Sequence, residues 1–384
     1  MLANKILFNI QFVQAAAFLC ALTIAYLLTP LIQSRAMKLG LLDKPSERKL
    51  HDKPIPRLGG VSVFASLFLT SLLFLSAYWS YRHNLFSTFT LLGIFSGGTI
   101  IFFLGLLDDI EPLSPVLKLL IQILAASVAW FLGIKILYLA NPFYHADFYF
   151  FKFSMGGQSI HFTPLVSYFL TLMWIVVITN AVNLVDGMDG LATGVSLISA
   201  IAIWAVSVDY RINQPAGALM AATLAGALLG FLRWNFNPAR IFLGDSGAYL
   251  TGFFLSALAI SCVTKKIAVA VIAPVLFLIF AFPIGDTLFA VIRRTLSRKS
   301  ILEPDKGHLH HRMLAFGFSQ KIASYLLYLL SALLGLLASY LISLRSSCRF
   351  LILSLVVIFI ALFYACIINW RRQKIFRNLF MKTK

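Results

Sequence analysis

The sequence predicts an all-α, polytopic integral membrane protein of about 11 transmembrane helices, with the N-terminus outside and the C-terminus cytoplasmic. Three observations carry that prediction. Of the 384 residues, 60% are hydrophobic and only 12% charged, roughly half the charged share of a soluble domain. Apolar stretches recur at about the 20-residue length a helix needs to cross a bilayer. They are continuous rather than alternating, which argues against a membrane barrel. Lys and Arg, finally, gather in alternate loops, as the positive-inside rule requires.

The spans are placed at roughly 11–33, 59–79, 86–107, 116–139, 163–180, 190–208, 214–232, 247–263, 267–292, 322–344 and 350–370. The first is read as retained, because no small-residue cleavage site follows a short apolar core. With the N-terminus outside, segments 34–58, 233–246, 293–321 and the tail 371–384 carry seven, two, seven and six Lys or Arg, against nine outside. Lys118 sits at the inner end of the fourth span. The net charge of +18 thus reflects topology, and no nucleic-acid partner is expected. Four cysteines without a C-x-x-C pair suggest neither a disulfide framework nor a redox motif. One membrane-embedded domain, 1–384, is expected, with inner loops at about 34–58, 108–115, 181–189, 233–246 and 293–321.

Twelve of the fourteen Asp and Glu fall on the inner side, leaving only Asp147 and Asp209 outside. A transporter places its polar groups near mid-depth, on broken helices. A one-sided set suits an enzyme meeting a soluble substrate at the cytoplasmic surface.

Five constellations make up that set. In "GLLDDIEPLSPVLKLLIQ", 105–122, the adjacent Asp108 and Asp109 can share a cation, raise one another's pKa, or simply cap the span in water. Lys118 can meet an anion or snorkel. In "NAVNLVDGMDGLATG", 180–194, Asn180, Asn183, Asp186 and Asp189 recur every third residue, near one face if helical. Their oxygens suit a divalent cation. In "NFNPARIFLGDSGAYLTG", 235–252, Asp245 opens the eighth span among small residues, a place for phosphate, Mg²⁺ or a plain helix cap. The basic loop "DKPSERKLHDKPIPRLGG", 43–60, suits pyrophosphate or simply marks the inner side. "DKGHLHHRM", 305–313, holds His308, His310 and His311. Its spacing permits zinc but lacks cysteine partners, so contact with a polar or anionic ligand is the stronger reading. Asp286, inside the ninth span, is costly there, and its role stays open.

Together, "RLGG", "GLLDD", "NAVNLVDGMDGLATG", "NFNPARIFLGDSG" and "GHLHHRM" resemble, in order and sidedness, the polyprenyl-phosphate N-acetylhexosamine-1-phosphate transferase family (glycosyltransferase family 4). The resemblance covers nearly the whole chain. It implies transfer of a sugar-1-phosphate from a UDP-amino sugar to undecaprenyl phosphate, or dolichyl phosphate in eukaryotes, with release of UMP and a need for Mg²⁺ or Mn²⁺. The His-x-His-His spacing, interrupted by Leu309, resembles the UDP-GlcNAc or UDP-HexNAc branch. The branch using UDP-MurNAc-pentapeptide has three consecutive histidines, so phospho-MurNAc-pentapeptide transfer is the alternative within the family; a lipid or sugar-nucleotide transporter is the one outside it.

By the same resemblance, Asp108 and Asp109 lie at the catalytic centre, near metal and lipid phosphate, and Asp245 is the firmest Mg²⁺ ligand. Asn183, Asp186 and Asp189 contact nucleotide or support the metal, with Asp186 also a catalytic candidate. Asn235 lies on the nucleotide side and Phe242 stacks on uracil. His308, His310, His311 and Arg312 recognise the sugar-phosphate. Lys118 and Arg57 are lipid-phosphate candidates. The resemblance further implies a bacterial plasma-membrane enzyme with a cytoplasmic-facing site, a homodimer, and a role in starting a cell-envelope polysaccharide. Which HexNAc and which polysaccharide stay open.

Overall fold

A computed structural model describes residues 2–43, 53–78, 87–140, 159–209, 212–263, 280–281, 283–287 and 309–343. Ten helices are labelled among them: α1 Leu2–Lys38, α2 Gly59–Tyr78, α3 Thr88–Ile110, α4 Pro115–Phe131, α5 Pro164–Val185, α6 Leu191–Val208, α7 Pro215–Asn235, α8 Gly244–Val263, α9 Leu309–Ala315 and α10 Gln320–Ser343. Six are long and apolar enough to cross a membrane: those of Ile10–Lys38, Thr88–Ile110, Pro164–Val185, Leu191–Val208, Pro215–Asn235 and Gln320–Leu341. The expected span 350–370 and most of 267–292 lie outside the described residues.

Helix starts follow local chemistry. Ser114 and Thr163 each accept an N–H of the first turn and precede a proline, at Pro115 and Pro164. A proline at the first helical position loses no intrahelical bond.

The observed boundaries correct several expected ones. Helix α1 continues past 33 to Lys38, even with Pro30 inside it. Nearby, Thr29 Oγ1 bonds Ala25 O at 2.6 Å and Ser62 Oγ at 3.1 Å. The fourth span does not reach 139. Helix α4 stops at Phe131, and Gly133, at φ +101°, turns the chain away, a conformation glycine adopts without steric penalty. Helices α3, α5 and α7 end three to five residues later than expected and α8 begins three earlier, so much of the motif chemistry lies on helix ends rather than in loops. The all-α expectation also misses two small antiparallel pairings. Leu42–Asp43 (β1) pairs with Ile55–Pro56 (β2), and Tyr138–Ala140 (β3) with Ser159–His161 (β4). Both lie between helices.

The core is organised around α7, buried almost throughout. Its Ala- and Gly-rich sequence lets backbones meet. Gly226 and Gly230 lie against the carbonyls of Phe18 and Leu22 on α1, the small-xxx-small contact that brings membrane helices together without a hydrophobic driving force. Helices α3 and α8 pack in a related way. Gly97 and Gly98 receive the rings of Phe253 and Phe254, and Gly105 faces the backbone of Asp245 and Ser246. That last contact sets the beginning of α8 beside the end of α3.

A methyl group at Gly105 would meet backbone, which cannot rotate away. Gly105→Ala should therefore cost about 1–3 kcal/mol, read as a lower unfolding midpoint in detergent. Gly335→Ala, which faces only the Ala202 methyl at 3.1 Å, should cost less.

Candidate active site

Three helix ends meet where the glycine contact places them. Helix α3 delivers Asp108 and Asp109, α5 delivers Asn183 and the following Asp186, and α8 delivers Asp245. Lys118 comes from the first turn of α4.

Asp108 is 4% exposed, so it is not a solvated cap. Its Oδ1 accepts Leu113 N–H at 2.8 Å and shapes the turn into α4. Its Oδ2 pairs with Lys118 Nζ, which lies 4.0 Å from Asp245 Oδ2. The ammonium thus stands between two carboxylates.

Asp109 does something different. Its carboxylate accepts Asp245 N–H at 2.8 Å, Ser246 N–H at 3.0 Å and Ser246 Oγ–H at 2.6 Å. It caps α8 from another helix, satisfying N–H groups that a helix start leaves open. The residues before it, Leu243 and Gly244, offer no side-chain acceptor. Gly244 has φ +74°, and a Cβ there would meet Arg57 O and the Asp109 carboxylate.

Asp245 Oδ1 accepts Asn183 Nδ2–H at 2.6 Å. Asp186 follows α5 as its C-cap. Burial, then the negative charges of Asp245, Asp109 and Asp189, push its carboxyl well above the usual carboxylate range; Arg57 works weakly against them. Arg57 is ion-paired with buried Asp43 across the small β1–β2 pairing.

The three-residue spacing of the 180–189 motif does not place its four polar groups on one face. The helix ends at Val185, and the set splits. Asn180 Nδ2 donates to Gln122 Oε1 at 2.6 Å. Asn183 serves Asp245. Asp189 Oδ2 accepts Asn237 Nδ2–H at 2.8 Å and Ala239 N–H at 3.0 Å, clamping the loop before α8. Asn235 is 1% exposed, accepting from Thr193 Oγ1 at 2.7 Å and donating to Ile241 O at 2.9 Å. Phe242 is half-buried and tied through its backbone to Pro56 O and Gly59 N. Gly60 N bonds Leu243 O in the same strip, at 2.8 Å, which accounts for "RLGG".

His308 lies outside the described residues. His310 and His311 fall on α9, and Arg312 is half-buried there. Leu309, which interrupts the histidine run, is the buried anchor of α9 at 2% exposure. Its N–H donates to Asp286 Oδ1 at 2.7 Å. Asp286 thus holds the start of the histidine helix, a role its sequence position alone did not reveal.

Hard oxygen donors gather around Asp245 and Asp186, where burial first and then the neighbouring carboxylates raise the Asp186 carboxyl. That chemistry fits a Mg²⁺ ion, which usually takes one or two carboxylates and completes its shell with water and substrate phosphate. Among the described residues, no three His, Cys, Asp or Glu side chains form a preassembled metal cage.

The family model for glycosyl transferase family 4 matches residues 91–263, the stretch that carries α3 to α8 and all four of these acids. A "probable undecaprenyl-phosphate N-acetylglucosaminyl 1-phosphate transferase" of Bacillus subtilis is 36% identical over 92% of this chain and 90% of its own. A decaprenyl-phosphate N-acetylglucosaminephosphotransferase of Mycolicibacterium smegmatis is 36% identical over 81% and 78%. An undecaprenyl-phosphate alpha-N-acetylglucosaminyl 1-phosphate transferase of Thermotoga maritima is 31% identical over 90% and 96%. The chain belongs to glycosyl transferase family 4.

Two acids of this cluster should move stability in opposite directions. Asp109→Ala strands three donors at α8 and should cost about 1.5–3 kcal/mol or more. Asp186 has a raised folded-state pKa, so its ionised form opposes folding increasingly as pH rises above the ordinary value of 3.8. Asp186→Asn should therefore raise the unfolding midpoint at neutral pH, without added divalent cation, and the gain should shrink toward acid pH.

Proposed function

We propose that this chain transfers a HexNAc-1-phosphate, GlcNAc-1-phosphate first among them, from UDP-HexNAc to undecaprenyl phosphate. The products are undecaprenyl-diphospho-HexNAc and UMP. The observation that carries this reading is the convergence of Asp108, Asp109, Asp186 and Asp245 at three helix ends, beside Lys118. The names of the relatives supply the donor and acceptor classes. Carboxylates at helix ends favour surface chemistry over transport, which calls for polar groups at mid-depth. The interrupted histidine run favours a UDP-HexNAc donor over the peptide-bearing one.

The recurring apolar runs support about 11 spans, and the Lys and Arg distribution supports an outside N-terminus and a cytoplasmic active site. A bacterial plasma-membrane location and a role in starting a cell-envelope polysaccharide come with this reading.

Phosphoryl transfer asks a protein chiefly for alignment and charge neutralisation. An acceptor phosphate oxygen attacks the β-phosphorus of the donor, the bond from that phosphorus to the bridging oxygen breaks, and UMP leaves with that oxygen. Lys118, between Asp108 and Asp245, is placed to turn its ammonium toward an incoming phosphate. Asp108, released from that pair, accepts a proton from the acceptor phosphate when it arrives protonated. Asp109 keeps Asp245 and the start of α8 in register. Mg²⁺ or Mn²⁺, held by Asp245 with Asp186 in support, would neutralise pyrophosphate charge. Asn183 orients Asp245, while Asp189 and Asn235 hold the loop that presents Phe242 to uracil. Asp286 holds the start of α9 through Leu309 N; His308, His310, His311 and Arg312 are assigned to the sugar-phosphate by the family resemblance, and Arg57 is a lipid-phosphate candidate.

Purified protein with undecaprenyl phosphate, Mg²⁺ and a panel of UDP-sugars should release UMP, most rapidly with UDP-GlcNAc. Asp108→Asn should slow release by about 10²–10⁴-fold, the range of a general acid–base group. Single replacement of His308, His310 or His311 should raise donor KM and leave Mg²⁺ dependence nearly unchanged. Failure of every UDP-sugar to yield UMP would overturn this reading.

A further inference from the structure

The inner end of α7 borders a cavity that shares no residue with the acidic cluster. It measures about 510 Å³, and its lining includes Leu229 and Leu232 of α7, Tyr325 and Tyr328 of α10, and Arg233 and Arg240. Both guanidiniums flank the same ring: their carbons lie 6.0 and 5.6 Å from the Trp234 centroid. Among the described residues, neither arginine has a carboxylate partner. Trp234 also packs on Tyr26, with centroids 5.6 Å apart, and donates Nε1–H to Tyr26 O at 3.1 Å. An aromatic cluster at the end of a membrane helix marks headgroup depth.

From the cavity an apolar row runs along the exposed face of α10, through Tyr325, Leu329, Leu333 and Leu336. Their spacing of four, four and three residues keeps them on one face. A cationic rim, an amphipathic cavity and an apolar track leading away from it match a molecule with an anionic head and a hydrocarbon tail.

We propose that this cavity binds an anionic phospholipid of the inner leaflet, its phosphate between Arg233 and Arg240 and an acyl chain along α10. Basic pockets between membrane helices hold such headgroups. Solvated topological arginines would have no need of a shared aromatic or an adjoining cavity. The site is also mechanically tied to the acidic cluster's surroundings. Tyr328 OH donates to Gly190 O at 2.6 Å, and Asp189 clamps Asn237 and Ala239 at the cavity edge. An occupant therefore steadies the 186–190 turn and the 236–240 loop together.

The test uses the full chain. Native mass spectrometry should show retention of phosphatidylglycerol over phosphatidylcholine. Removing both charges, R233Q/R240Q, should weaken retention roughly 10- to 30-fold, at about fivefold per arginine, while R233K/R240K keeps most of it. In wild-type protein, hydrogen exchange at 236–240 should be slower in phosphatidylglycerol nanodiscs than in phosphatidylcholine ones; this readout stands even if the glutamine variant fails to fold. Equal retention of the two lipids, unchanged retention in the glutamine variant, equal exchange in the two nanodiscs, or full displacement of the lipid by millimolar inorganic phosphate would each overturn the proposal.

Discussion

Helix α8 begins at Gly244–Asp245–Ser246, where neither Leu243 nor Gly244 carries a side chain able to accept the first N–H groups. The carboxylate of Asp109, the last residue of "GLLDD", accepts them from the end of α3. This bond fixes both the register of two packed helices and the position of Asp245. It depends on Gly105, one turn earlier on α3, lying flat against the Asp245–Ser246 backbone. A side chain at Gly105 would separate the helices, and Asp109 would no longer reach. One adjacent pair of acids thus divides its work: Asp109 builds the site, and Asp108 faces Lys118 within it.

The arrangement concentrates negative charge where a protein optimised for stability alone would avoid it. Asp186 shows the cost most directly, with a carboxyl pushed up by burial and by three acidic neighbours. Such tension is expected at a functional site where a bound cation supplies the missing positive charge. Lys118 relieves it only in part, being shared between Asp108 and Asp245. The surrounding polar residues serve as struts. Thr193, Asn235 and Ile241 join α6 to the loop before α8, and Asn237 links Asp189 to Gln320 of α10.

Much of this was legible in the chain. Hydropathy marked the helices, because that signal is local. Helix ends were less legible. The C-terminal extensions of α3 and α7 carry charged and polar residues, which hydropathy alone reads as loop, and that of α5 is mostly apolar but interrupted by Asn183. The 180–189 spacing misled for a different reason: a three-residue period implies one face only while the helix lasts, and this helix stops at Val185. Leu309 stood out as the break in a histidine run, but its burial, and the Asp286 bond that pins its N–H, join residues 23 positions apart.

The sequence by itself determined the membrane class, the grouping of acids around the span ends and the resemblance to a transferase family, since composition, hydropathy and ordered motifs are properties of the chain read in one dimension. Only the tertiary structure decided which acid does what. Asp108 and Asp109 are neighbours with the same side chain and the same local context. Successive helical positions point about 100° apart, and that rotation sends one carboxylate to Lys118 and the other to the start of α8.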